Sequence, residues 1–175
     1  YSTFHPERPW SGYAWDALAA AAVLSEAEAP AVLLLGAGAG TVLVLLRRIL
    51  PAASLTAVER DARMIELGRE RGGLDASGAE IVVGDALAFL AGTRRTFDVI
   101  LDDLFAPCAS GLRRPVTDEA AHLGVIARRL RPGGVAATNS TTDGDPPGLE
   151  RAIAAAHREV FRHRARLAPP RGYNA

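Results

Sequence analysis

Residues 32–61 read VLLLGAGAGTVLVLLRRILPAASLTAVERD and carry the clearest sequence signal of the fold. A continuous apolar run, residues 31–35, leads into a glycine-rich turn at 36–40 and then into a helical pattern that Pro51 ends. Continuous apolar runs are typical of strands buried on both faces of a parallel sheet. Because a second such run follows at 54–58, the stretch predicts a right-handed βαβ unit.

The same alternation of strand and helix continues outward from this unit. The patterns predict helices at 15–25, 61–72, 86–91, 118–130 and 149–161, and strands at 79–83, 97–101, 135–138 and 164–167. Such alternation predicts an α/β fold, a Rossmann-like three-layer αβα sandwich with a mostly parallel sheet, shortened at its C-terminal end. We assign residues 1–13 to an irregular N-terminal arm and residues 14–175 to one α/β domain.

Three glycines follow the first predicted strand, at the edge where ligands bind to doubly wound sheets. Gly36, Gly38 and Gly40 let the backbone turn sharply and approach a ligand without a Cβ in the way. The dinucleotide fingerprint needs a glycine at its sixth position, and Thr41 occupies that position when counted from Gly36. The spacing therefore favours S-adenosylmethionine (SAM) over NAD, with a tight turn that holds no ligand as the alternative.

Acidic residues end the next three predicted strands. Glu59 can accept hydrogen bonds from both ribose hydroxyls of an adenosine, or it is a solvated charge beside Arg60. Asp85 can bind an adenine amine, cap the following helix, or do both. Asp102 and Asp103 are neighbours in a strand, so only one of them can face the site. That carboxylate can take a proton from an acceptor or hold a cationic amine, while the other caps a helix or pairs with an arginine.

Weaker candidates lie on either side of these strand ends. Trp10, Tyr13 and Trp15 can form an aromatic lid over a cationic sulfonium, or they can pack the arm onto the core. The polar residues 139–143 follow the fifth predicted strand and can line an acceptor pocket or form a turn. The four histidines and Cys108 show no metal-ligand spacing, so we predict no metal site.

Composition excludes several classes of protein. The 20 basic residues are all arginines and are balanced by 20 acidic residues, so the formal net charge is zero. This balance predicts neither a nucleic-acid nor a membrane partner, and the lack of lysine excludes Schiff-base chemistry. The single cysteine allows no internal disulfide, and no apolar run approaches the ~20 residues of a membrane span. We expect a cytoplasmic protein that acts on a small molecule, and we leave a homodimer open.

Three runs, in this order, resemble the spermidine-synthase-like branch of class I SAM-dependent transferases. They are residues 32–70, which open with VLLLGAGAG, then IVVGDALAFL (81–90) and TFDVILDDLFAP (96–107), and SGYAWDAL (11–18) also resembles the segment before the core. The resemblance implies the class I SAM-methyltransferase fold, aligns Asp103 with the catalytic aspartate of aminopropyltransferases, and leaves Asp102 as a second catalytic candidate. The cofactor contacts that the resemblance implies are Gly36, Gly38, Gly40, Glu59, Asp85 and Ala86. To these we add the neighbouring residues Ala37, Arg60 and Asp102.

Three departures from the family pattern argue against polyamine synthesis. The D-x-x-D-P motif of the family ends here in Ala106-Pro107, its aspartate inside the glycine turn is Ala39, and its N-terminal acid is replaced by Ala17. A polyamine is a multiply charged cation, so binding it should need several carboxylates. We therefore expect methyl transfer from SAM to a small acceptor with Asp103 as the base. Aminopropyl transfer from decarboxylated SAM and a non-catalytic SAM-binding or assembly module are the alternatives.

Overall fold

Strands and helices alternate along the chain, as the sequence predicts. The computed structural model describes His5 and residues 10–109, 111–140 and 148–165. Short 3-10 turns lie at Ala22–Leu24 and Leu74–Ser77. In chain order the elements are α1 (Ala14–Ala21), β1 (Ala31–Leu35), α2 (Thr41–Ile49), β2 (Ser54–Glu59), α3 (Ala62–Arg71), β3 (Glu80–Val83), α4 (Ala86–Gly92), β4 (Phe97–Asp102), β5 (Ala106–Cys108), β6 (Gly111–Arg113), α5 (Glu119–Arg129), β7 (Leu130–Thr138) and α6 (Leu149–Val160).

Five parallel strands form the main sheet, in the order β3-β2-β1-β4-β7. The chain moves outward from β1 to β3 and then returns to the other side of β1 with β4, so the strand order reverses at β1. Leu35 at the end of β1 is in register with both Val58 and Asp102. The carboxyl ends of β1, β2 and β4 are therefore level with one another, and they form one edge at the point where doubly wound sheets bind ligands.

The sheet is covered on both faces by helices. Alternate β1 residues point to opposite faces, so Leu34 packs with Leu18 and Leu43 from α1 and α2, and Leu33 packs on the other face with residues of α4 and α5. Residues Leu33–Leu35 have no exposed surface, which is the burial that a continuous apolar strand requires. These layers confirm the predicted αβα sandwich.

Aspartates before three helices cap them, among them Asp85, for which the sequence leaves this role open. The carboxylates of Asp61, Asp85 and Asp118 accept backbone N–H groups of Arg63, Ala88 and Ala121 at the starts of α3, α4 and α5. A capping carboxylate satisfies one of the four N–H groups that a helix start leaves without a partner. No helix among the described residues is both long enough and apolar enough to cross a membrane.

Two segments differ from the prediction. The loop expected after β4 contains the antiparallel hairpin β5–β6, whose three-residue strands are too short to show a periodic pattern. The residues between the helix predicted at 118–130 and the strand predicted at 135–138 belong to β7, which runs unbroken from Leu130 to Thr138. The ladder between β4 and β7 shifts register between Phe97 and Val99, and such an irregularity accommodates a proline inside a strand.

Parts of the prediction fall outside the described residues. Of the sixth predicted strand, residues 164 and 165 are not in a strand, and the remaining two lie outside the described residues. Most of the arm, residues 1–13, also lies outside them, so the division into an arm and a domain stays a prediction.

Candidate functional site

A cleft of about 510 Å³ opens at the carboxyl edge of the sheet. Its walls come from the glycine turn after β1, from the ends of β2, β3 and β4, and from the β5–β6 hairpin. The volume lies within the range of roughly 300–1,000 Å³ that is typical of small-molecule and cofactor pockets. The edge is therefore open rather than filled by side chains of the chain itself, which is the first requirement for a nucleoside site.

The glycine turn is fixed between β2 and β4. Gly36, Gly38 and Gly40 have φ values of +83°, +52° and +90°, in the left-handed region that L side chains rarely adopt. The amide of Gly36 donates to the carbonyl of Val58 at 2.9 Å. A Cβ on Gly36 would overlap the carbonyl oxygen of Asp103, closer than 3.0 Å. The turn therefore needs glycine here both for its conformation and for its close packing against the end of β4.

The turn residues divide between the cleft and the core. Gly36, Ala37 and Gly38 line the cleft. Gly40, which we expected to contact a cofactor, is not among the lining residues, because it precedes α2 and packs against Leu74, whose Cδ1 lies 2.5 Å from an ideal Cβ position. The expected contact of Gly40 with a cofactor stays a prediction, and its left-handed conformation serves the start of the helix.

Glu59 lies in the cleft wall with its carboxylate held in a defined orientation. Its Oε2 accepts the Gly38 amide at 2.7 Å, and its Oε1 accepts the Asp61 amide at 2.9 Å. A carboxylate oxygen has two lone pairs, so each oxygen keeps one for a ligand. Two acceptors side by side at the end of β2 match the two hydroxyls of a ribose, and Arg60 beside them also lines the cleft.

Asp85 caps a helix and also lies in the cleft wall. Its Oδ1 accepts the Ala88 amide at 2.8 Å and so caps α4, and the residue also lines the cleft together with Gly84 and Ala86. A capping carboxylate keeps lone pairs beyond the one that the helix uses. Asp85 is therefore placed to accept a hydrogen bond from a ligand as well.

Of the neighbours Asp102 and Asp103 at the end of β4, Asp103 faces the cleft. Its Oδ1 accepts a hydrogen bond from Nδ2 of Asn139 at 2.7 Å, and its amide donates to the Leu35 carbonyl at 2.9 Å. Burial raises the pKa of Asp103 to about 6, with added repulsion from Asp102 and Glu59, although Asn139 and Arg114 act in the opposite direction. A carboxyl group with a pKa near neutral can both take up and release a proton under working conditions.

The raised pKa of Asp103 predicts a specific pH dependence of stability. The folded protein holds this proton more tightly than the unfolded chain, whose pKa is 3.8. The group therefore stabilises the fold fully below about pH 4, and that contribution is lost as the pH rises through about 6. Asp103→Asn lacks this titration, so its free energy of unfolding relative to wild type should rise by roughly 2–3 kcal/mol between pH 4 and pH 7. Urea unfolding at several pH values measures the difference, and a constant difference would contradict the prediction.

Asp102 does not face the cleft, and this corrects the expectation that it contacts a cofactor or a reacting group. Alternation along β4 turns its carboxylate to the opposite face, where it is fully buried. As expected for the other member of the pair, it binds an arginine: Oδ2 lies 2.5 Å from Nη2 of Arg114 and 2.8 Å from Nε2 of His122. Burial would raise the pKa of Asp102, but the hydrogen bonds and charges of His122 and Arg114 outweigh it and lower the pKa to about 2.

Arg114 joins Asp102 to a second buried carboxylate. Its Nε donates to Oε1 of Glu119 at 2.7 Å, and the side chain of Arg114 has no exposed surface. We refer to Asp102, Arg114, Glu119 and His122 as the buried ion cluster. The sequence predicts an arginine partner but gives no signal for which one, because the cluster joins a strand end, the residue after the hairpin and a helix.

Of the remaining candidates, the polar residues after the fifth predicted strand and the N-terminal aromatics, only some lie in the cleft. Asn139 lines the cleft, whereas Ser140 does not and residues 141–143 lie outside the described residues. Trp15 lines the cleft and packs against Tyr13, with 5.3 Å between ring centroids. Trp10 is half exposed and is not a lining residue. Tyr13 and Trp15 therefore pack on the core beside the cleft, and an aromatic lid stays a prediction.

Two further observations concern metal ligands and the apolar part of the cleft wall. Within the described part of the chain, no group of three His, Cys, Asp or Glu side chains is placed to hold a metal ion. Sequence reasoning missed the apolar wall that the hairpin supplies, which includes Pro107 and Leu112. An open cleft with an oriented carboxylate at the end of β2 and a capping carboxylate at the end of β3 fits the nucleoside part of SAM.

Comparisons with known proteins agree with this geometry. A family described as "Methyltransferase domain" matches residues 32–134. A polyamine aminopropyltransferase from Pseudomonas syringae pv. tomato is 31% identical over 128 residues, which are 69% of this chain and 43% of that protein. One from Escherichia coli O1:K1 is 31% identical over 119 residues, 65% of this chain and 40% of that protein. The chain thus spans less than half the length of these relatives.

Solved structures show the same fold. A probable spermidine synthase from Corynebacterium glutamicum superposes with a TM-score of 0.69 and 28% identity, over 85% of this chain and 54% of that one. Human methyltransferase-like protein 13, in complex with SAH, superposes with a TM-score of 0.71 over 84% of this chain and 72% of that one. Its identity of 23% supports the fold alone.

These findings confirm the resemblance and the class of cofactor, SAM or its decarboxylated form. The family match covers more than half of the chain and includes the glycine turn and the ends of β2, β3 and β4. The chain belongs to the methyltransferase domain family, as a spermidine-synthase-like member with the class I SAM-dependent transferase fold.

Proposed function

We propose that this chain transfers a methyl group from SAM to a small-molecule acceptor, with Asp103 as the base. The observation that carries the proposal is the placement of Asp103, which faces the cleft in contact with the glycine turn and has a pKa of about 6. A base beside the reacting centre whose pKa lies near neutral is what proton removal from an acceptor requires.

The residues on the other side of the cleft are assigned to the cofactor. Glu59 would hold the ribose hydroxyls, Asp85 with Ala86 the adenine, and the backbone of Gly36, Ala37 and Gly38 would contact the part that carries the sulfur. Arg60, which lines the cleft beside Glu59, would contact the cofactor near its ribose. When bound, SAM supplies a methyl group on a positively charged sulfur, which becomes a neutral thioether once the methyl group has left.

The chain's own contribution is binding, orientation and removal of one proton. Glu59 and the turn hold one reactant on one side of β1, while Asp103 and Asn139 hold the other on the opposite side. Fixing two reactants in line reduces the entropy that the reaction would otherwise lose, and this can account for about 7–11 kcal/mol of a barrier in favourable cases. Asp103 accepts the proton that the acceptor releases.

Aminopropyl transfer from decarboxylated SAM is the second candidate, since both relatives compared above carry the name polyamine aminopropyltransferase. Methyl transfer is favoured because Ala39 and Ala106 replace acids of the polyamine-synthase pattern and leave Asp103 as the carboxylate of the described acceptor side. The two cofactors differ by a carboxylate, so calorimetric titration with each separates the two functions.

The test combines this titration with a turnover assay that uses methyl-labelled SAM. We expect SAM to bind and its label to appear in an acceptor product. If only decarboxylated SAM bound, the result would favour aminopropyl transfer over methyl transfer. If SAM bound but no acceptor of a broad panel were methylated, the result would support a non-catalytic binding module. We still expect no nucleic-acid or membrane partner and a cytoplasmic location, and these stay predictions. A homodimer stays open.

Glu59→Gln tests the ribose assignment. Glutamine keeps the length of the side chain but removes the charge and one acceptor oxygen, so S-adenosylhomocysteine should bind about 10- to 100-fold more weakly, as expected for the loss of hydrogen bonds to a charged group. Isothermal calorimetry measures the affinity. Glu66→Gln makes the same change on the exposed surface of α3 and should bind like wild type. A folded Glu59 variant with unchanged affinity would refute the assignment.

A further inference from the structure

The cleft has two halves of different chemistry, and the sheet order separates them. The ends of β2 and β3 lie on one side of β1, and the ends of β4 and β7 lie on the other. Because neighbouring strands are about 4.8 Å apart, the ends of β2 and β4 are roughly 10 Å from each other. Glu59, Asp61 and Asp85 all lie in the first half, while Asp103 and Asn139 lie in the second.

The second half, which we call the acceptor half, is mostly apolar. Its described lining beyond Asp103 and Asn139 comes from the loop after β4, from the hairpin and from the loop that follows it: Leu104, Phe105, Ala106, Pro107, Gly111, Leu112 and Pro115. Among the described lining residues of this half, Asp103 is the only charged one. Arg114 comes just before Pro115, but its guanidinium is bound by Asp102 and Glu119 on the far side of β4.

We propose that the acceptor half binds a small amine that carries one positive charge on an otherwise apolar body. This inference rests on the proposed function and narrows it to a class of substrate. One ammonium group pairs with the Asp103 carboxylate, and an apolar body covers Leu104, Phe105 and Leu112, from which it displaces water.

Other classes of acceptor fit this half less well. The second ammonium of a diamine would lie against apolar walls with no described carboxylate near it, and a buried unpaired charge is strongly unfavourable. A neutral alcohol would leave the charge of Asp103 without a counter-ion, and a carboxylic acid would be repelled by it.

The chemistry balances with Asp103 as the proton acceptor. Its carboxylate takes one proton from the bound ammonium, and the freed nitrogen lone pair forms the new N–C bond. The S–C bond of the cofactor breaks at the same time and leaves its electron pair on sulfur. A primary amine thus gives a secondary ammonium with the same single charge, and the proton on Asp103 then passes to solvent.

Calorimetric titration with three probes tests the inference. The probes are 2-phenylethylamine, its neutral isostere 2-phenylethanol and the diamine putrescine, each added to the protein with and without saturating S-adenosylhomocysteine. We expect 2-phenylethylamine to bind at least 10-fold more tightly than either of the others. Equal binding of the alcohol, or tighter binding of putrescine, would overturn the proposal. If S-adenosylhomocysteine itself did not bind, the result would count against the proposed function. The titrations without S-adenosylhomocysteine would still rank the affinities of the three probes and so test the inference separately.

Two variants assign the preference to the acceptor half. Asp103→Asn should reduce the amine-to-alcohol preference to less than about 3-fold, whereas Asp75→Asn, the same change at an exposed acid bound to Arg69, should leave it unchanged. Leu112→Asp adds a second carboxylate to the apolar wall and should improve putrescine binding at least 5-fold relative to 2-phenylethylamine. An Asp103 variant that keeps the full preference, or a Leu112 variant that gains nothing for putrescine, would contradict the inference.

Discussion

Replacing Gly36 by alanine should cost about 2–5 kcal/mol of folding free energy. An L residue held at a left-handed φ costs roughly 1–2 kcal/mol, and the φ of Gly36 is +83°. The added Cβ would also overlap the Asp103 carbonyl. That carbonyl cannot move freely, because the Asp103 amide is bound to Leu35 in the neighbouring strand. Overpacking of this kind costs about 1–3 kcal/mol more.

Urea unfolding of the Gly36 variant measures this loss, with Gly92→Ala as the matched control. Gly92 lies at the end of α4, and a Cβ there meets nothing within 4 Å. Alanine is the better helix former, so Gly92→Ala should leave stability unchanged or raise it by up to about 1 kcal/mol. If Gly36→Ala stayed within about 1 kcal/mol of wild type, the turn would not need the conformation that the structure gives it.

The same substitution links stability to the site. Gly36 packs against the peptide that carries Asp103, so the shift that relieves the overlap must move Asp103 relative to the turn. A displacement of about 1 Å in a reacting group can reduce turnover by roughly 100-fold. The variant should therefore lose more activity than the unfolded fraction alone explains.

The edge of the sheet could be predicted from the sequence because parallel strands end together. Once the apolar runs at 31–35, 54–58 and 97–101 are recognised as buried strands, Glu59 and Asp103 must come to the same edge as Gly36. The same reasoning predicts that Asp102 and Asp103 point to opposite faces. It does not predict which one faces the cleft, because that depends on which side of the sheet the glycine turn crosses.

The parts that the sequence missed depend on contacts between distant segments. Gly38 and Gly40 look equivalent in the motif, yet one lines the cleft and the other packs on Leu74. Pro107 and Pro115 indicate a loop, and the hairpin between them becomes visible only from its pairing. Asn139 was a candidate among five polar residues, and its hydrogen bond to Asp103 is a contact that the sequence pattern gives no sign of.

The buried ion cluster predicts a second large effect. Arg114→Met keeps most of the length of the side chain but removes the guanidinium, which leaves the carboxylates of Asp102 and Glu119 buried without it. Breaking a buried pair in this way costs about 3–5 kcal/mol. Arg69→Met removes one partner of an exposed pair, in which Arg69 and Asp75 are 53% and 77% exposed. Exposed pairs contribute about 0–1 kcal/mol, so this control should stay near wild type.

Lowering the pH separates lost charge pairing from lost packing in the Arg114 variant. Without the arginine, burial should raise the pKa of Asp102, whereas in the wild type the cluster lowers it to about 2. The folded variant would then take up a proton as the pH falls, so its deficit in unfolding free energy should shrink between pH 7 and pH 5. Asp102→Asn combined with Arg114→Met should likewise recover part of the loss. A deficit that is the same at both pH values and in the double variant would assign the cost to packing.

The position of Arg114 gives the cluster a consequence for the cleft. It follows β6 directly and precedes Pro115, which lines the cleft, while Asp102 precedes Asp103. The ion pair therefore ties the hairpin wall to the strand end that carries the proposed base. Nη1 and Nη2 of Arg114 donate to Oδ1 and Oδ2 of Asp102. Arg114→Lys keeps the charge but not this two-pronged contact, so it should recover part of the stability while turnover stays reduced. If Arg114→Lys restored turnover fully, charge alone would be enough to hold the wall in place.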